Sequence, residues 1–277
     1  MSNPGITVRL TLWITLLIAW SLAPMLWQLI SSFTASGALI DSTVPFQERW
    51  TLAHYIELLF TDPPFWRYLF NSAVVAALST AFTLVLAVPA AYGLAQLPTQ
   101  WCRKVKNLIT ITALFPYVLL FLALLELART FHLGNSLLAL SLPYSGLTMP
   151  LALLLLTVAF EGFPKELEDA ARTEGFTLSQ RIRWVILPLI APASASTSIL
   201  VFLFAWNEYP VALTWLSRSE LLTLPVAMAR IAGSSVYTVP YGGYAAATVL
   251  GAIPLLVLVL LFQRQIVSGL TSGAIKG

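Results

Sequence analysis

Asp169-Ala170-Ala171-Arg172-Thr173-Glu174-Gly175, followed after nine residues by Val185-Ile186-Leu187-Pro188, is a charged island between two long apolar runs. Its residue types predict local structure. Pro164 suits a helix start, where a missing N–H costs little. Glu166, Glu168 and Asp169 fall in the first turns, where negative charge complements the helix dipole. Glu168 and Arg172 are spaced i, i+4 for an ion pair. Leu167, Ala170 and Ala171 give a small apolar face, and Gly175 can close the helix in a left-handed conformation. Thr177 and Gln180 have capping-box spacing for a second helix through Trp184, and Pro188 marks a bend into the next apolar run. The expected unit is helix, glycine turn, helix, lying across one face of a membrane. On pattern alone, an ordinary amphipathic surface loop fits equally well.

The flanking runs set the class. The chain has 277 residues, 58% hydrophobic and only 10% charged, with mean hydropathy +0.83. Soluble domains carry about 25% charged residues, so this is an integral membrane protein with no room for a soluble domain of ordinary size. The net charge of +3 does not indicate nucleic acid, because the basic residues sit in short loops beside apolar runs. Cys102 is the single cysteine, which excludes an intrachain disulfide. His54 and His132 lie far apart, and no His, Cys and carboxylate cluster has metal-ligand spacing. No Gly-x-x-x-x-Gly-Lys-Ser/Thr phosphate loop occurs, so ATP-driven movement would have to come from a partner.

A bilayer crossing takes about 20 mainly apolar residues. Six runs qualify: 8–30, 69–97, 108–126, 138–160, 190–216 and 244–262. The first is long for a signal peptide and is taken as a span. With both termini cytoplasmic, Arg9, Arg103, Lys104, Lys106, Lys165, Arg172, Arg181, Arg183, Arg264 and Lys276 lie inside. Only Arg49, Arg67, Arg129, Arg218 and Arg230 lie outside, as the positive-inside rule requires. Trp27, Trp66, Trp206 and Trp215 then mark outer ends. The outer segments Ser31–Tyr68 and Ser217–Gly243 are long, and the second offers a loop to an external partner. The charged island, 161–189, falls inside, where a soluble motor could push it.

Polar groups within spans are costly and functional by default. Trp206-Asn207-Glu208 places an aromatic face, an amide and a carboxylate together, the groups that bind sugars, and Pro210 lets the helix bend behind them. The same residues also fit a plain role of holding spans together. Glu126 and Arg129 fit an interfacial i, i+3 pair better than a substrate contact. Ala191, Ser194, Ala195 and Ser198 form a small-residue stripe suited to close helix packing.

The island resembles the cytoplasmic loop signature of ABC-importer permeases, Glu-Ala-Ala, three residues, Gly, nine residues, Ile-x-Leu-Pro, with Asp169 for Glu and Val185 for Ile. Further likeness to the sugar-specific branch lies in Asn71-Ser72, Ala90-Ala91-Tyr92, Pro116, Phe204-Ala205-Trp206-Asn207-Glu208 and the stretch Gly269–Gly277. It runs from about the second span onward and is similar to the maltose- and trehalose-type second permease subunit.

The resemblance implies an all-α integral membrane protein: a single permease domain over 1–277, with six transmembrane helices in the type I ABC importer fold and cytoplasmic coupling helices. It implies a bacterial or archaeal inner-membrane location and a sugar-import role without enzymatic activity of its own. It also implies four kinds of neighbour: a second permease subunit, two ATPase subunits that bind ATP and magnesium, an extracytoplasmic sugar-binding protein, and membrane lipid. No cofactor is expected in this chain. Glu168, Asp169, Ala170, Ala171, Arg172, Gly175 and Pro188 would couple to the ATPase, and Gly273–Gly277 would reach the ATPase pair. Trp206, Asn207, Glu208 and Glu126 are the candidates to line or gate the path. Two alternatives stay open: the same architecture for another solute such as a polyamine or phosphate, and a carrier or membrane enzyme that works without an ATPase.

Overall fold

The computed structural model describes residues 4–35, 50–162, 164–232 and 241–272. The stretch Gly273–Gly277 and the loop residues Pro45, Gly233, Ser234, Ser235 and Pro240 lie outside them. Helices dominate: α1 (Pro4–Phe33), α2 (Ala53–Phe60), α3 (Phe65–Ala95), α4 (Thr99–Ala113), α5 (Phe121–Thr130), α6 (Leu137–Glu161), α7 (Lys165–Thr173), α8 (Leu178–Arg181), α9 (Leu187–Asn207), α10 (Pro210–Trp215), α11 (Leu224–Ala232) and α12 (Tyr241–Ser272). Among the described residues the sole extended pairing is an isolated bridge between Thr34 and Trp50.

Among the described residues, five helices are long and apolar enough to cross a membrane. A sixth crossing results if Thr99–Ala113 and Tyr117–Thr130, which meet at 75°, count as one. That bent pair occupies the third expected span, 108–126, so the span is broken rather than straight. Pro116 is the cause: it cannot donate to the helical ladder and pushes Phe115 away from helical geometry. A short 3-10 turn, Tyr117–Leu120, restarts the chain on the far side. Pro24, Pro89, Pro143, Pro150, Pro192 and Pro254 lie inside helices without ending them, as lipid-embedded helices permit.

Contacts divide the chain into two compact units, Met1–Arg67 with Ala227–Pro254, and Tyr68–Val226 with Leu255–Gly277. In the first, Ser32 Oγ and Tyr55 Oη share a hydrogen bond of 2.7 Å, and Thr34 O lies 3.1 Å from His54 Nε2. Gly242 lies so close to the His54 ring that a Cβ at that position would collide with it. In the second, α3, α6, α9 and the turn before α9 enclose a core of Ala87, Ala91, Ala152, Leu156, Phe160, Ile186, Ile190 and Val201. The Asn71-Ser72 pair fastens the start of α3. Asn71 Nδ2 donates to Glu220 O and Leu222 O at 3.0 and 2.9 Å, and Leu224 N donates to Ser72 Oγ at 2.7 Å.

Candidate functional site: a buried carboxylate under an exposed helix, and a helix break

The charged island folds as helix, glycine turn, helix. α7 begins after Pro164 with Glu166 and Glu168 in its first turn. Gly175 takes φ +82°, the left-handed conformation that only glycine adopts freely. Its N–H donates to Arg172 O at 3.0 Å, and Phe176 N–H to Ala171 O at 3.0 Å, so the last carbonyls of α7 are satisfied. Thr177 then caps α8 in a reciprocal box: Gln180 N donates to Thr177 Oγ1 at 3.4 Å, and Thr177 N donates to Gln180 Oε1 at 2.8 Å.

Two expectations need correction. The second helix does not lie across the membrane face as a separate element. α8 runs through a π-turn, Ile182–Ile186, directly into α9, and Leu178–Asn207 reads as one apolar helix. Pro188 lies inside this continuous helix, two residues past the π-turn, and donates no hydrogen bond to the ladder there. Second, Glu168 forms its ion pair with Arg181 (3.0 Å) rather than with Arg172. α7 turns Glu168 inward, whereas Arg172 is exposed.

The inward and outward faces of α7 differ sharply. Glu168 and Ala171 are each only 7% exposed, while Glu166, Leu167, Asp169, Ala170, Arg172 and Thr173 face outward. Glu168 Oε1 accepts from Tyr92 Oη at 2.6 Å, near the end of α3, and from the Arg181 guanidinium. Tyr92 in turn packs edge-on against Phe160 at 5.6 Å. A cavity of about 280 Å³ lies alongside, lined by Tyr92, Gln96, Cys102, Phe160, Glu161, Glu168 and others. Glu161 in this lining is held by Lys106, whose Nζ donates to both Glu161 oxygens at 2.7 and 2.9 Å. Sequence spacing missed Tyr92 and Arg181 as partners of Glu168, because the contacts span 76 and 13 residues.

The second candidate region is the end of the fifth span. α9 stops at Asn207, Glu208 is extended, and α10 restarts at Pro210. Glu208 is 3% exposed and caps that restart. Val211 N donates to its Oε1 at 2.9 Å, Ala212 N to its Oε2 at 3.1 Å, and Tyr144 Oη to the same Oε2. Trp206 is buried and stacks on Phe202 at 5.7 Å. Asn207 is exposed, with its Nδ2 donating to Leu203 O at 2.8 Å. The triplet thus does not present three free groups: Trp206 and Glu208 hold the break, and Asn207 alone is exposed. Glu126 is exposed, as is Arg129, and no ion pair forms between them among the described residues. Tyr144, which sequence reading did not single out, completes the Glu208 arrangement. Nearby, Tyr117 and Phe204 make an edge-on pair at 5.6 Å and line an apolar cavity of about 560 Å³ with Thr112, Gly146 and Thr148.

Among the described residues, no group of three His, Cys, Asp or Glu side chains is placed to hold a metal. The site consists of an outward-facing helix and an inward-held carboxylate.

Comparison with known proteins gives the family and the fold. The profile of the family described as binding-protein-dependent transport system inner membrane component matches residues 7–272. The sulfoquinovosyl glycerol transport system permease protein of Agrobacterium fabrum is 38% identical, over 95% of this chain and 92% of its own. The trehalose transport system permease protein of Mycobacterium tuberculosis is 36% identical, over 97% and 98%. The trehalose/maltose permease protein of Thermococcus litoralis is 34% identical, over 92% of both. Among solved structures, one chain of a bacterial ABC transporter that imports the acidic polysaccharide alginate superposes with a TM-score of 0.79, covering 95% of this chain and 98% of that one, at 19% identity. At that identity the likeness establishes the fold.

Proposed function

The chain belongs to the inner membrane component family of binding-protein-dependent transport systems, and on that premise we propose that it is one permease subunit of an ATP-driven importer of small glycosides. It forms half of the translocation path beside a second permease subunit and lies in a bacterial or archaeal inner membrane with both termini cytoplasmic. Two separate ATPase subunits bind ATP and magnesium and dock on α7. An extracytoplasmic binding protein delivers the sugar from the opposite side.

The observation that carries the coupling role is the two-faced α7. Asp169, Ala170 and Arg172 face outward, flanked by Leu167, while Glu168 and Ala171 anchor the helix from beneath. Gly175 and the Thr177 cap set the corner between α7 and the helix Leu178–Asn207, which contains Pro188. A helix held this way passes a push into the membrane rather than folding away from it.

Small glycosides are favoured because the relatives named above carry sulfoquinovosyl glycerol, trehalose and maltose in their names. In the path, Asn207 is the exposed polar group. Trp206 and Glu208 shape the break behind it, and exposed Glu126 is the remaining candidate. The test is uptake by cells of labelled trehalose, maltose, diacetylchitobiose and sulfoquinovosyl glycerol, with and without Asp169→Arg combined with Gly175→Pro. Loss of uptake by tenfold or more, with the chain still in the membrane, is expected. Undiminished uptake contradicts the coupling role.

A further inference from the structure

We propose that Tyr92 and Arg181 are positioning residues that act through Glu168 to transmit the displacement of α7 into the α3 and α9 helices. The proposal rests on the importer reading and extends it to residues that face away from the ATPase. One carboxylate oxygen, Glu168 Oε1, receives both the Tyr92 hydroxyl (2.6 Å) and the Arg181 guanidinium (3.0 Å). That single atom therefore joins three elements: α7, the far end of α3, and α8. Because α8 continues without interruption toward α9, Arg181 is the handle of the fifth span and Tyr92 that of the second.

Three observations favour transmission over a passive clamp. Glu168 is 7% exposed, so it cannot itself meet a docking protein, although it lies within the exposed helix. A buried ion pair is in addition weak evidence for stability, because desolvation offsets much of the attraction. Arg181 Nε is buried without a hydrogen-bond partner. A buried donor left over in this way is uncommon and is found at strained or functional positions. Finally, the π-turn Ile182–Ile186 follows Arg181 immediately. Such turns cluster at functional positions and make a helix able to shift register locally.

The test uses the assembled importer in proteoliposomes with its sugar-loaded binding protein, and reads ATP hydrolysed per sugar delivered. Tyr92→Phe removes one oxygen and leaves the Phe160 ring contact in place, so it isolates the link from folding. Tyr92→Phe and Glu168→Gln are each expected to raise the ATP-to-sugar ratio at least fivefold. In Tyr92→Phe, hydrolysis without binding protein and the thermal midpoint stay near wild type, whereas Glu168→Gln, which strips Arg181 of its partner, also lowers the midpoint; the double variant is no worse than Glu168→Gln alone in the ratio. Arg181→Lys, which keeps the charge but not the guanidinium, gives an intermediate ratio. A second readout is alkylation of Cys102, which is 5% exposed and lines the cavity beside Glu168. Its rate is expected to respond to a non-hydrolysable ATP analogue in wild type and not in Tyr92→Phe. An unchanged ratio in Tyr92→Phe and Glu168→Gln overturns the proposal while leaving the importer reading intact, as does a loss that only follows loss of assembled complex. A wild-type complex with no ATP-linked uptake overturns both.

Discussion

Glu208 shows how one carboxylate can hold a helix break inside an apolar span. It satisfies two orphan amides of α10 and the Tyr144 hydroxyl, all buried. Leaving buried polar groups unpaired costs about 1–3 kcal/mol each, so Glu208→Ala is expected to lower the unfolding midpoint of the purified chain by many degrees. Asn207→Ala, at an exposed neighbour, is expected to leave the midpoint unchanged and alter only uptake. Equal effects of the two substitutions on the midpoint contradict this division of labour. Gly242 offers a second case at this scale. A methyl group there meets the His54 ring, and overpacking of that kind costs about 1–3 kcal/mol. Gly242→Ala should therefore destabilise the chain, and adding His54→Ala should recover most of the loss; no recovery would show that the glycine is needed for another reason. These residues differ in how far the sequence announced them. Gly175 was legible, since a glycine after a short charged helix points to a left-handed cap. Gly242 was not, because its constraint is a ring from a helix far away in sequence. The i, i+4 rule misdirected Glu168 toward Arg172, because the glycine turn brings Arg181 back under the helix.

Among the elements, α7 and the helix that follows it meet at a capped corner. The Thr177 cap sets that corner, and losing an N-cap costs about 1 kcal/mol. Thr177→Ala is accordingly expected to speed amide exchange across 177–183 while α6 exchanges as before; uniform acceleration in both would mean that the cap is not local. The third span tests the role of proline in the same way. Pro116→Ala permits the helical ladder to continue through the 75° junction, and it should slow exchange at residues 114–120. Unchanged exchange there would assign the bend to packing instead. Span positions were readable because long apolar runs leave little choice in lipid. The breaks were only half readable. Pro210 flagged the one after Glu208, but Pro116 entered only through the family likeness, and Pro188 interrupts no element, lying inside the continuous helix Leu178–Asn207.

For the molecule as a whole, hydropathy and charge placed the chain in a membrane, and the profile match over residues 7–272 placed it in its family. The partners are encoded more faintly. A chain of spans with no phosphate loop and an exposed charged helix points to an external motor, but the motor's surface is not written in this sequence. The proposed glycoside is not written there either, since in the importer reading its recognition would be shared with a binding protein and a second permease. The central claim is that this chain works only as part of such an assembly. The most direct measurement is purification of the tagged chain from its native membrane in mild detergent, followed by mass spectrometry of the proteins that accompany it. The account predicts a second permease and an ATPase subunit in fixed proportion, with two ATPase copies for each pair of permeases. A chain that purifies alone and transports sugar without ATP would contradict it.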